Sequence, residues 1–107
     1  MKTASFQESR TGIGATPVEF SAFKVGGQKE VFVFAKVTGT TLTGTVKLQA
    51  TANLVDWVDV TSSSQNMGSS GGNLYWNLSS FGGLAVRAVA AASVGTAAVE
   101  ITGYAKG

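Results

Sequence analysis

Acid–base chemistry in this chain would have to come from carboxylates alone. Histidine and cysteine are absent, which removes the commonest general base, the commonest zinc ligands and the thiol nucleophile. Ser-His-Asp and Cys-His catalysis are thereby excluded. Of the acidic residues, Asp56 and Asp59 stand closest together, with Trp57 between them. A glycosidase-like pair needs two carboxyl groups converging on one site, whereas residues three apart on a strand point to opposite faces. The same two carboxylates with loop carbonyls could hold calcium, but their spacing matches no defined calcium loop, and solvated carboxylates at a strand end are the simpler reading. No catalytic residue, metal ligand or cofactor is expected, and the chain reads as a non-enzyme.

Recognition chemistry is better represented. Trp57, Tyr75 and Trp76 could stack on sugars. Trp76, however, shares its side of an alternating segment with Leu74 and Leu78 and belongs to a core, while Tyr75 faces the other way. Tyr75, Asp56 and Asp59 are therefore the candidate surface-recognition residues, and Trp57 is expected to pack. The glycine pairs Gly26-Gly27, Gly71-Gly72 and Gly82-Gly83 lack the frames and the following helix that phosphate cradling requires, so they read as turns. The net charge of +2 is spread over single residues with no run of Lys or Arg. A phosphate-tracking surface needs clustered cations, so no nucleic-acid partner is expected.

These residues must be positioned by a small fold. A chain of 107 residues supports one core. Only 13% of its residues are charged, about half the usual share, so the exterior is built mainly from Ser, Thr, Asn, Gln and Gly. Such a surface has little electrostatic protection against association. No segment approaches the ~20 apolar residues of a membrane span, and the first dozen residues lack an apolar signal region. No membrane partner is expected.

Met1 to Thr16 is polar, with Phe6 and Ile13 among its few apolar anchors, and reads as an extended N-terminal arm that orders against a neighbour. Residues 17–107 form the expected β domain. Pro17 opens a strand from Val18 to Phe23. Glu30 to Thr38 is apolar on both faces, with Val31, Val33, Ala35 and Val37 on one and Phe32 and Phe34 on the other, as expected of a central or interface-covered strand. Leu42 to Thr51 alternates as a half-buried strand, Thr51-Ala52-Asn53 turns the chain, and Leu54 to Val60 returns it. Thr61 to Asn73 is nearly free of apolar side chains and reads as an exposed, dispensable loop with a short irregular strand near Gln65 to Met67. Alternating segments from Leu74, from Leu84 and from Ala97 complete the chain. The alanine-rich run Ala85 to Ala98 is the one helix competitor, but its interleaved valines suit a pleat better. The pattern predicts an all-β fold: a single antiparallel β-sandwich, jelly-roll-like or Ig-like, of about seven or eight strands. Phe6, Ile13, Phe32 and Phe34 are the candidate interface residues, since so small a sandwich cannot easily cover both faces of the Glu30–Thr38 strand.

The stretch LQATANLVDWVDV, ending at Val60, resembles a pattern of small phage virion proteins and related β-sandwich modules. In that pattern a strand ending L-Q-A/G-S precedes an N-D-G turn and then W-x-D. NLYWNLSSFGGLAVRAV and the terminal GTAAVEITGYAKG are similar to the same group, so the resemblance spans about the last two-thirds of the chain. The turn departs from the pattern, with Thr51-Ala52-Asn53-Leu54-Val55 in place of S-N-D-G. The resemblance implies a structural virion component, such as a capsid decoration protein, head fibre or spike subunit. Its partners would be itself, as a homo-oligomer such as a trimer, and major capsid or other virion proteins. A carbohydrate-binding or adhesion module, with a glycan as partner, is the alternative.

Overall fold

Period-two alternation lays nearly the whole chain down as strands. The structure is a computed structural model and describes residues 3–79, 81 and 83–107. Among the described residues no helix occurs. The segments are β1 (Thr3–Ile13), β2 (Val18–Glu19), β3 (Phe23–Lys24), β4 (Glu30–Thr38), β5 (Thr43–Thr51), β6 (Val58–Asp59), β7 (Gln65–Asn66), β8 (Gly71–Leu78), β9 (Ala85–Val94) and β10 (Ala97–Lys106). One sheet runs β1-β10-β4-β8; the other runs β2-β9-β5-β6, with β3 also on β9 and β7 also on β5. Each of these pairings is antiparallel. The fold is an all-β, two-sheet antiparallel sandwich.

The core lies between the sheets. Val31, Val33 and Val37 of β4, Trp76 of β8 and Ile101 of β10 join Val46, Leu48 and Val86 of the second sheet in one buried cluster. Two glycines are there because a side chain would not fit. A Cβ on Gly103 would lie 2.7 Å from the Phe23 ring, and that ring stacks on Phe6, with centroids 5.6 Å apart. A Cβ on Gly44 would lie 2.3 Å from the carbonyl oxygen of Ala91, where the β5–β9 register shifts at a bulge.

Several expectations are corrected. The N-terminal segment is extended, but its partner is its own chain: β1 pairs with β10 from Thr3↔Lys106 to Ile13↔Ala97. The boundary at residue 16 therefore does not separate an arm from a sandwich. Sequence gave no sign of this because an edge strand with one solvated face is necessarily polar at alternate positions. The Val18 to Phe23 segment is two short strands, β2 and β3, separated at Phe20, whose side chain is buried. The Ser/Gly-rich loop is anchored rather than free: Ser63 and Met67 are buried, the Ser63 hydroxyl donates to the Leu48 carbonyl, and Trp76 donates its indole N–H to the Ser63 carbonyl. Gln65–Asn66 does form a short strand, on β5. Of the expected Phe81-Gly82-Gly83 turn, Gly82 lies outside the described residues, as do Met1 and Lys2.

Candidate functional site

β4 is central in its sheet, flanked by β10 and β8. Its valines fill the core, so Phe32 and Phe34 must point outward, and they are 40% and 45% exposed. The register places Tyr104 of β10 directly opposite Phe32 and Tyr75 of β8 directly opposite Phe34. Tyr104 and Tyr75 are 45% and 62% exposed. Directly opposed residues have Cβ atoms about 5 Å apart. The four rings therefore form one contiguous aromatic patch at the centre of the outer face, running obliquely across three strands.

Its borders are polar. Thr102 lies opposite both Phe34 and Gln7, Asn77 lies opposite Phe32, and Asn73 opposite Lys36. At one end Lys106 is opposite Glu30, and at the other Glu100 is opposite Lys36. Gln7 and Ser9 of β1 donate hydrogen bonds to Glu100, at 3.0 and 3.4 Å. An aromatic centre is thus bordered by amides, hydroxyls and balanced charges.

The outer face of the second sheet is built differently. Arg87 of β9 donates to Gln49 of β5 at 2.9 Å and pairs with Glu19 of β2 at 3.1 Å. Its guanidinium carbon lies 4.3 Å from the centre of the Trp57 ring. Trp57 is half-buried, and it packs on this arginine rather than in the core. The arginine is held by three partners, and the loop after β5 is held down through the indole.

Asp59 accepts from Gln49 at 3.0 Å and from Lys47 at 3.1 Å, and these hydrogen bonds, Gln49 first, hold its carboxyl below the usual aspartate value. Asp56 belongs to a separate arrangement. The Asn53 carboxamide oxygen accepts the N–H groups of Val55 and Asp56 at 2.9 and 2.8 Å, and Asn53 donates to the Asp56 carboxylate at 3.0 Å. Asn53 thus makes a tight turn despite the departure from S-N-D-G. Asp56 and Asp59 serve different hydrogen-bond networks, and among the described residues no group of three or more Asp or Glu gathers as a metal site.

The sequence-derived residues therefore separate. Phe32, Phe34 and Tyr75 come together on one face. Phe6 and Ile13 do not join them: Ile13 is fully buried, and Phe6, half-buried, packs on the core of its own chain. Ile13, expected at an interface, is instead a core anchor of β1, and Phe6 helps hold the same strand to its own chain. Tyr104 was missed. Alternation puts it outward with Thr102 and Glu100, but only the β10–β4 register reveals that it adjoins Phe32.

The fold is an all-β, two-sheet sandwich whose outer face carries exposed aromatic rings. No family model matches the chain, and no curated protein sequence does. Solved structures share the architecture. The SPBc2 prophage-derived protein YomS superposes with a TM-score of 0.54 at 23% identity, covering 98% of both chains. The PBSX exported protein XepA gives 0.61 at 18% identity, covering 98% of this chain and 39% of XepA. The N-terminal cellulose-binding domain of a Cellulomonas fimi β-1,4-glucanase gives 0.53 at 8% identity, covering 95% of this chain and 76% of that domain. At these identities the likeness is one of fold.

Proposed function

We propose that the protein is a non-enzymatic structural component of a phage particle, a capsid decoration or surface spike or fibre subunit, resident in the virion after assembly in the host cytoplasm. The aromatic patch of Phe32, Phe34, Tyr75 and Tyr104 carries the reading. Contiguous exposed aromatic surface on a small, weakly charged domain marks a contact site, and aromatic residues are enriched in the centres of protein interfaces. The fold shared with a prophage-derived protein supports the same reading. The sandwich would act as a rigid plate. Its outer aromatic face binds a neighbouring virion subunit, and the opposite face, with its pinned 52–57 loop, is turned away.

The test is a tagged copy expressed during particle production in the source strain, followed by gradient purification of particles. The chain is expected to co-purify with them, and Phe34→Ser to reduce that occupancy. Absence of the chain from purified particles would overturn the proposal.

A carbohydrate-binding or adhesion role is the second reading. It is favoured by the carboxamides of Asn73 and Asn77 on either side of Tyr75, a ring-and-amide pairing suited to sugars, and by the fold shared with a cellulose-binding domain. Retardation in polysaccharide-containing gels that disappears with Tyr75→Ala would support it.

A further inference from the structure

The charges around the aromatic patch are arranged so that the face complements itself. Along β10 the outward residues run Lys106, Tyr104, Thr102, Glu100; along β4, in register beside them, run Glu30, Phe32, Phe34, Lys36. The corners of this block are thus plus and minus at one end and minus and plus at the other. Among the described residues none of the four corner side chains forms an ion pair within its own chain.

From this pattern, and building on the reading of this face as a contact surface, we infer that its partner is a second copy of the chain, docked face to face about a two-fold axis lying in the plane between the sheets. If the axis runs along the strands, between β10 and β4, Lys106 meets the partner's Glu30 and Glu100 meets the partner's Lys36. Tyr104 then meets the partner's Phe32. If the axis runs across the strands, Lys106 meets the partner's Glu100 and Glu30 meets the partner's Lys36. Phe32 then meets the partner's Phe34. Either axis sets every corner charge against its opposite and brings aromatic rings together at the centre, with the remaining two rings set against short polar side chains. An isologous two-fold contact requires such self-complementarity. A partner of different sequence has no need of it, and neither has an uncharged glycan.

Size sets the strength. Four strands about 4.8 Å apart and about 20 to 25 Å of strand length give a face of roughly 400 to 500 Å². Two such faces bury about 1,000 Å² in total, at the lower limit for a specific interface. The dimer is therefore weak in solution and strengthened by anything that holds two copies near each other, as a particle surface does. Packed sheets cross at about 30°, a rotation that the long Lys and Glu side chains at the corners can span.

Sedimentation velocity on the full chain from about 10 µM to about 1 mM, the range suited to an interface of this size, tests the inference. A concentration-dependent monomer–dimer equilibrium is expected, weakened about tenfold or more by Phe34→Ser and by Lys36→Glu. Both positions are solvent-facing, and near-ultraviolet circular dichroism from buried Trp76 verifies folding. Charge swaps then decide the axis. Lys36→Glu with Glu100→Lys restores the dimer only if the axis runs along the strands, and Lys36→Glu with Glu30→Lys only if it runs across them. A chain that stays monomeric at the highest concentration overturns the inference. So does a dimer indifferent to Phe34 and Lys36, or to both swaps, and so does a monomer whose face binds polysaccharide instead. A monomer that still co-purifies with particles would remove this inference and leave the virion role standing. A dimer absent from particles would do the reverse.

Discussion

At the scale of single residues, two side-chain environments hold the N-terminal strand in place. Gly103 is a vacancy that the Phe23 ring fills, and Phe6 of β1 stacks on that ring. Gly103→Ala would put a methyl group 2.7 Å from the ring, and overpacking of this kind costs about 1 to 3 kcal/mol. A lowered melting temperature is expected, and an unchanged one would mean that the ring moves aside freely. Glu8 supplies the second. Its carboxylate accepts the Ser21 N–H at 2.9 Å and pairs with Arg10. Burial pushes its pKa up, but the Ser21 backbone and side-chain hydrogen bonds and the Arg10 guanidinium outweigh that and hold it below its ordinary value of 4.5. A carboxyl depressed in the folded state stabilises the fold above the unfolded value and loses that contribution as pH falls through the folded one. Melting temperature should therefore drop as pH falls below about 4.5, and Glu8→Gln should flatten part of that drop. An identical acid limb in the variant would show that Glu8 is not the group responsible.

At the scale of elements, the loop between β6 and β8 behaves opposite to its composition. Met67 is 1% exposed, and its N–H donates to the Gly44 carbonyl at 3.0 Å, so the bulge in β5 and the loop fix each other. Met67→Ala should cost about 2 to 5 kcal/mol, as large-to-small core changes do, and shortening the loop past Ser63 and Met67 should cost more. A shortened chain with unchanged melting temperature would restore the view of a free loop. This is where sequence was least informative. One methionine among serines and glycines carries no period, so nothing in the letters says that it turns inward. The long strands were legible because β5 and β10 alternate, while β4 and β9 are β-branched or aromatic-bearing apolar runs of strand length bounded by glycine and polar turns. Trp76 was legible as core by alternation, and Tyr75 with it as exposed. Trp57 was not, because a half-buried indole stacked on Arg87 depends on which strand lies beside which. The candidate face was half legible. Phe32, Phe34 and Tyr75 are marked by alternation alone, whereas Tyr104 and the corner charges acquire meaning only from register.

At the scale of the whole molecule, the first strand and the last are neighbours, so the sheet closes only when the two ends of the chain meet. β1 covers one edge of β10, contributes fully buried Ile13, and stacks Phe6 on Phe23. Removing residues 3–13 would delete that buried isoleucine, worth about 2 to 5 kcal/mol by itself, from a fold whose total stability is of the order of 5 to 15 kcal/mol. It would also uncover β10 along its length, leaving a row of unpaired backbone groups that template aggregation or strand exchange. The truncated chain is therefore expected to aggregate or unfold rather than persist as a smaller sandwich. Because an extended peptide can complete a sheet edge, a synthetic peptide of residues 3–13 should recover soluble folded protein when added during refolding. Circular dichroism and light scattering read both effects. A truncated chain that stays monomeric and melts where the full chain does would show that β1 is the detachable arm its composition suggests, free to reach a neighbour.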